Sequence, residues 1–204
     1  MKLYHLISGP LRVNAYILAG DDNEAAVIDG GESYNALKAA EKAHGLKITA
    51  ALFTHAHFDH TACAKKLQRD GAKIYIGEKD APKLAAGDTL GARFGRQVEP
   101  CTADVTVKEG DKIEVAGITL TVLETPGHTD GSVTFMGRDM LFTGDTLFLE
   151  SVGRTDFPTG SRAQLIESVQ KLFALPGDYK VYPGHEAFTT LSHERVFNLF
   201  TDYD

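Results

Sequence analysis

Short runs of apolar residues, separated by helix-like segments, fill the first half of the chain. Val13–Leu18 and Ala25–Ile28 have strand-like composition, and each is followed by a turn-forming cluster that contains Gly and Asp. Apolar residues then recur at helical spacing over 33–45, which predicts a helix that Ser33 caps and Gly45 ends. The apolar run Ile48–Thr54 predicts a buried strand that leads directly into a histidine.

The same alternation continues to the end of the chain. A helix is predicted over 62–70 and a strand over 73–76, whereas 79–100 indicates only a short helix and a long loop. Further strands are predicted over 112–115, 118–123, 132–136, 140–143 and 180–182, and further helices over 162–172 and 191–200. Because strands and helices alternate in both halves, we expect an α/β (α+β) fold with two sheets, or one large mixed sheet, flanked by helices.

Composition narrows the class of protein. With 204 residues, of which 43% are hydrophobic, the chain is expected to fold as one domain over 1–204. No apolar run approaches the roughly 20 residues of a membrane span, and the first residues do not form a secretory signal, so we expect a cytoplasmic protein. A net charge of −7 without a basic stripe argues against a nucleic-acid partner. A small-molecule substrate remains, and the oligomeric state is left open.

One segment, at the end of a predicted strand, contains several side chains of the kinds that bind metal ions. It contains His55, His57, Asp59 and His60, three of the eight histidines of the chain and one aspartate within six positions. In extended backbone, residues two apart point the same way, so His55 and His57 should project to one side. The chain turns toward a helix before Asp59 and His60, which should therefore face a neighbouring position. This arrangement suits two adjacent metal ions better than one.

Three later turns each present one more metal-type donor at a strand end. His128 follows Pro126-Gly127, Asp145 follows Gly144, and His185 follows Pro183-Gly184. Each alone is an ordinary turn residue, but together with the first segment they give seven donors. Seven exceed the needs of one tetrahedral zinc and match two ions about 3.5–4 Å apart that share a carboxylate. No cysteine joins the set, which argues against a closed structural zinc site.

These motifs, in this order, resemble the metallo-β-lactamase superfamily and, within it, the short single-domain branch of the glyoxalase II-like hydrolases. The resemblance implies an αβ/βα sandwich with two metal ions at one edge. It also implies a ligand set: His55, His57 and His128 for one ion, Asp59, His60 and His185 for the other, Asp145 as the bridge, Asp59 and Asp145 as catalytic carboxylates, and Asp29 in support. Zinc is the expected ion, although iron and manganese accept the same ligands.

The resemblance also implies a substrate, a thioester of hydroxyacylglutathione type such as lactoylglutathione. Thioesters suit the site because a thiolate departs without a strong general acid. Arg154 matches the cationic residue that glyoxalase II presents to a glutathione carboxylate, although it could instead pair with Asp156. At Ala187 the chain departs from the family, which has a tyrosine there. His60 and Asp145 depart from the residues typical of true β-lactamases, so a lactam substrate is not expected.

Two other readings remain open. Persulfide dioxygenases resemble this chain, share its Gly-Arg-Thr-Asp-Phe stretch, and use one iron held by two histidines and an aspartate. The second set of donors, with His60 and His185, favours hydrolysis over that oxidative reaction. The chain could also be a metal-dependent binding module without turnover. The number of metal ions and the need for oxygen distinguish these readings.

Overall fold

A computed structural model describes residues 1–202, and twelve strands and six α-helices occur within this range. The strands are β1 (Lys2–Ser8), β2 (Val13–Ala19), β3 (Glu24–Ile28), β4 (Lys47–Phe53), β5 (Lys73–Gly77), β6 (Val105–Val107), β7 (Lys112–Val115), β8 (Ile118–Glu124), β9 (Val133–Gly137), β10 (Met140–Gly144), β11 (Lys180–Pro183) and β12 (Thr189–Thr190). The helices are α1 (Tyr34–His44), α2 (Phe58–Thr61), α3 (Ala64–Arg69), α4 (Ala81–Ala86), α5 (Arg162–Phe173) and α6 (Leu191–Phe197), with 3-10 turns at Gly91–Phe94 and Leu199–Asp202. No helix in this part of the chain has the length and apolar character that crossing a bilayer requires.

The strands form two mixed sheets of six. The first sheet has the order β1-β2-β3-β4-β5-β6, antiparallel as far as β3 and parallel beyond it. The second has the order β12-β11-β10-β9-β8-β7, in which only β10 and β11 are parallel. The prediction of two mixed sheets flanked by helices is therefore confirmed.

Alternate residues of each central strand serve two different cores. In β2, Tyr16 and Leu18 pack between the sheets, whereas Ile17 and Ala19 pack toward the outer helices of the first sheet. A third core under α5 and α6 covers the outer face of the second sheet. Because both faces of β2 are covered, all seven of its residues are buried, and apart from Asn14 the strand does not alternate apolar and polar residues.

Four strands bring their carboxyl ends to one edge of this sandwich: β4 from the first sheet, and β8, β10 and β11 from the second. Backbone hydrogen bonds join the sheets at this edge. The Val133 amide donates to the Thr54 carbonyl at 2.8 Å, and the Asn14 amide donates to the Gly184 carbonyl at 2.7 Å. The loops that follow these strand ends are therefore held close together.

The sequence prediction missed some elements and misplaced the limits of two helices. The edge strand β1 was not predicted, because it is partly exposed and has no clean alternation of apolar and polar residues. The helix predicted over 62–70 is α3, and the single turn α2 that precedes it was not predicted. The predicted tail helix over 191–200 ends at Phe197 before a 3-10 turn. Ser33 occupies the N-cap of α1 as predicted, but its side chain makes no capping hydrogen bond.

We expect Gly127→Ala to lower the free energy of unfolding by about 2–4 kcal/mol, because the new Cβ would collide with backbone that cannot move freely. Gly127 has φ of +140°, and a Cβ there would meet the Leu165 backbone in α5. Gly117→Ala is the matched control: Gly117 also has positive φ, +68°, but faces open space. That variant should cost only about 1 kcal/mol. Equal losses of stability in urea unfolding would show that the close approach of α5 is not the cause.

Candidate metal centre

Seven nitrogen- or oxygen-bearing side chains from four chain segments converge at this edge of the sandwich. They are His55 and His57 after β4, Asp59 and His60 in α2, His128 after β8, Asp145 after β10, and His185 after β11. They form three overlapping groups, each with donor atoms within 4.8 Å of one another: His55, His57 and His128; His55, His60 and Asp145; and Asp59, His60 and His185. The structure thus brings together every donor that the sequence singled out.

The Asp145 carboxylate lies in the middle of the cluster. Its Oδ1 is 3.4 Å from Nε2 of His60, while its Oδ2 is 3.4 Å from Nε2 of His128 and 3.6 Å from Nε2 of His185. Nε2 of His185 is also 3.4 Å from Oδ2 of Asp59. One carboxylate therefore faces both halves of the donor set, the position that a bridging ligand needs.

Several donor atoms are buried without a hydrogen-bond partner. Among the described residues these include Nε2 of His55, Nε2 of His60 and Oδ1 of Asp145. In addition, Nδ1 of His57 and Nε2 of His128 are only 2.8 Å apart. Unpaired buried polar atoms are costly, and lone pairs that converge on one point are satisfied by a cation. Imidazole and carboxylate donors in this number fit divalent metal ions.

Backbone carbonyls hold two of the imidazoles in place. Nδ1 of His128 lies 2.7 Å from the carbonyl of Arg154, and Nδ1 of His185 lies 3.1 Å from the carbonyl of Leu11. A carbonyl can only accept, so each ring carries its proton on Nδ1 and turns the lone pair of Nε2 toward the cluster. Such outer contacts fix the tautomer and orientation of metal-binding histidines.

Asp29 forms hydrogen bonds with the residue that precedes the first ligand segment, and this agrees with the supporting role that the resemblance implied. Its carboxylate accepts hydrogen bonds from the Thr54 amide at 2.9 Å and the Thr54 hydroxyl at 2.7 Å. The same hydroxyl lies 3.1 Å from Nδ1 of His55, and Oδ2 of Asp29 lies 3.1 Å from Nδ1 of His60. Asp29 is buried, reaches His55 through the Thr54 hydroxyl, and lies within ion-pair distance of His60.

The fully buried Asp80 connects two ligand segments, and sequence reasoning missed it. Its carboxylate accepts hydrogen bonds from the Ala56 amide at 2.7 Å and the Thr129 hydroxyl at 2.9 Å, residues that adjoin His57 and His128. The ammonium of Lys83 lies 2.5 Å from its other oxygen and provides the countercharge. Its two contacts near the ligands are 24 and 49 residues away in the chain, so no local pattern indicates them.

Burial and mutual charge set the protonation of the cluster. Burial lowers the pKa of His57 to about 3 and lowers the pKa of His55 well below its usual value. Burial would raise the pKa of Asp145, but the surrounding imidazoles hold it well below its usual value. Neutral imidazoles and ionised carboxylates are the forms that bind metal ions.

The second half of the cluster attracts positive charge. Burial would lower the pKa of His60, yet the carboxylates of Asp145, Asp29 and Asp59 raise it well above its usual value. Burial also opposes the charged form of His185, but contact with Asp59 raises its pKa. The carboxylates therefore favour a positive charge here, which either a proton or a metal ion can supply.

A cavity of about 280 Å³ opens onto the donors and is walled largely by apolar side chains, among them Phe58, Leu90, Phe94, Phe148 and Phe157. Arg154 lines it too, with its guanidinium 4.0 Å from the centre of the Phe157 ring. The same guanidinium pairs with both carboxylate oxygens of Asp156 at 2.6 Å. Arg154 therefore makes both contacts considered from the sequence: it lines the cavity beside the donors, and it pairs with Asp156.

Comparison with known proteins agrees with this geometry. The metallo-beta-lactamase superfamily profile matches residues 8–185. The hydroxyacylglutathione hydrolase GloC of Haemophilus influenzae is 34% identical, and the match covers 92% of each chain.

Two solved structures share the whole fold. The crystal structure of TTHA1623 in a di-iron-bound form has a TM-score of 0.86 and 33% identity, and the match covers 97% of this chain and 99% of that one. BLEG-1, described as a B3 metallo-beta-lactamase, has a TM-score of 0.91 and 32% identity over 98% and 99% of the two chains. The profile match and the shared fold show that this chain belongs to the metallo-β-lactamase superfamily of metallo-hydrolases.

Proposed function

We propose that this protein is a dinuclear metal-dependent hydrolase that cleaves thioesters of the hydroxyacylglutathione type. In this proposal His55, His57 and His128 hold one divalent cation. Asp59, His60 and His185 hold the other, and Asp145 bridges the two. Zinc is the ion we expect, while the di-iron form of TTHA1623 shows that a protein of this fold also accepts iron.

One observation carries the proposal: the seven side chains bring their donor atoms close together, and several of these atoms are buried without a hydrogen-bond partner. His60 is decisive for the number of ions, because its Nε2 is buried without a hydrogen-bond partner and the residue belongs to two of the three donor groups. A single ion held by His55, His57 and His128 would leave that nitrogen and the Asp59 carboxylate without a cation.

Divalent cations bound there would polarise a substrate carbonyl and bring the pKa of water near neutrality. The chain itself supplies position and a low-dielectric wall, since the donors lie at the base of a largely apolar cavity. Within residues 1–202, every titratable residue that lines this cavity, apart from Arg154, is a proposed metal ligand. This part of the chain therefore offers no further acid at the cavity to protonate an amide nitrogen. A thiolate leaving group, with a pKa of about 8.5, needs none.

Glutathione as the thiol carrier rests on two supports. The relative GloC is named as a hydroxyacylglutathione hydrolase and matches over nearly the full length of both chains. Arg154 supplies a guanidinium at the cavity, where it can exchange its contact with the exposed Asp156 for a substrate carboxylate. The alternative is a mononuclear iron dioxygenase that acts on glutathione persulfide. It would hold one iron with two histidines and an aspartate, and the other four donors would have no metal to bind.

The direct experiment measures turnover by zinc- and iron-reconstituted protein on four substrates: lactoylglutathione, a thioester of a neutral thiol, a β-lactam and glutathione persulfide. We expect oxygen-independent release of glutathione from the first substrate with either metal. Oxygen uptake on the persulfide by protein with one iron would support the dioxygenase instead. Faster opening of the lactam than of the thioester would replace the proposed substrate class.

His57→Ala should lower turnover of lactoylglutathione at least about 100-fold, because it removes one of the three imidazole ligands, His55, His57 and His128, of one proposed metal ion. Metal content measured on the same sample should fall from two ions per chain. His193→Ala is the control: this histidine lies on α6, where its ring contacts Glu150 at 2.9 Å, and it is not part of the cluster. Activity of His57→Ala near that of His193→Ala would contradict the ligand assignment.

Arg154→Ala should raise KM for lactoylglutathione about three- to five-fold with a smaller effect on kcat, because an exposed charge contact is lost. The partner variant Asp156→Asn should act in the opposite direction and lower KM, since it frees the guanidinium for the substrate. Steady-state kinetics of both variants test the idea. If both variants left KM unchanged, the pair would have no part in substrate binding.

A further inference from the structure

A second cavity, of about 650 Å³, adjoins the candidate metal centre. It shares Leu11, Phe148 and His185 with the first cavity, so a ligand held at the metal centre can extend into it. Its other wall residues are Ile7, Arg12, Asn14, Glu186 and Ala187. We refer to this second cavity as the Arg12 groove.

Arg12 brings a cation to this groove. It lies in the turn between β1 and β2 with φ of 57°, and its amide donates to the Gly9 carbonyl at 3.2 Å. Within residues 1–202, neither a hydrogen bond nor an ion pair engages its guanidinium, in contrast to Arg154, which Asp156 neutralises. In a protein of net charge −7, such an uncompensated cation is what an anionic group needs in order to bind.

Glu186 brings a carboxylate to the same groove. It has φ of 66°, and its side chain too is without an ion pair or hydrogen bond among the described residues. The buried Asn14 ties the two loops together, because its Nδ2 donates to the carbonyls of Pro183 and Glu186, both at 3.0 Å. A free cation and a free anion are therefore held on the wall of one groove without pairing with each other.

Small or apolar residues also line the groove. Ala187 also lines the groove, and its side chain ends at Cβ, so the space beside Glu186 is not filled. Ile7 and Leu11 are both exposed, at 45% and 44%. Such a surface can accept the methylene stem of a flexible ligand whose polar groups lie at one end.

We propose that the Arg12 groove binds an amino-acid-type zwitterion, with Arg12 on its α-carboxylate and Glu186 on its α-ammonium. This inference rests on the proposed function, since such a zwitterion is the γ-glutamyl end of a glutathione thioester. Arg154 then contacts the other carboxylate of the tripeptide, while the thioester lies over the metal centre between them. A ligand of this length is held at both ends, which explains how the chain recognises it without a tyrosine at Ala187.

Calorimetry with S-methylglutathione, which cannot be hydrolysed, tests the groove on metal-reconstituted protein. Arg12→Ala and Glu186→Gln should each weaken binding about three- to five-fold, and Arg12→Lys should weaken it less. N-acetylated S-methylglutathione lacks the ammonium, so Glu186→Gln should lose its effect on that ligand while Arg12→Ala keeps its own. Arg138→Ala is the matched control, because Arg138 is another exposed arginine with positive φ, 50°, in a turn that is not part of the groove.

Hydrolysis of lactoylglutathione by the same preparations separates the two proposals. If Arg12→Ala binds S-methylglutathione as the unaltered protein does, or is weakened no more than Arg138→Ala, the groove is not the site, whatever the activity. If the unaltered protein hydrolyses no thioester but Arg12→Ala and Glu186→Gln still weaken binding of S-methylglutathione, the groove is supported and the proposed reaction is contradicted. An equal effect of Glu186→Gln on both ligands would overturn the placement of the ammonium.

Discussion

The cost of burying charge at the strand ends is the constraint on which this structure depends. Five imidazoles and two carboxylates lie within a few ångströms of one another, and several of their atoms lack a hydrogen-bond partner. With the imidazoles neutral and the carboxylates ionised, the cluster has more hydrogen-bond acceptors than N–H groups that could donate to them. Two divalent cations would satisfy these atoms together, and this one requirement links the ligand types, their burial and their approach to Asp145.

The fold meets this constraint through rigid neighbours. Each ligand follows a strand of the sandwich, so the cores between and outside the sheets fix where its backbone begins. Buried carboxylates then hold the ligand segments, Asp29 within the first of them and Asp80 between the first and the His128 segment. Asp29 connects Thr54 to His60, and Asp80 connects Ala56 to Thr129. Both are fixed by backbone or hydroxyl donors and are therefore preorganised before any ion binds.

Sequence patterns predicted what depends on local periodicity and on dense motifs. The strand that precedes His55, the helix α5 and the pair of mixed sheets all follow from apolar spacing and its alternation. The convergence of His128, Asp145 and His185 followed from their common position after strands. Asp80 could not be predicted, because its contacts depend on how loops pack in three dimensions. The open Arg12 groove was missed for the same reason. The sequence offered two contacts for Arg154, a substrate carboxylate and Asp156, and the second is present in the structure.

The occupancy of the cluster tests the central claim most directly. Crystals of zinc-loaded protein, measured with anomalous diffraction at the zinc edge, should show two peaks per chain about 3.5–4 Å apart. One should lie among His55, His57 and His128 and the other among Asp59, His60 and His185, with Asp145 between them. A single peak at full zinc loading, or zinc bound elsewhere while these seven side chains stay without metal, would contradict the account.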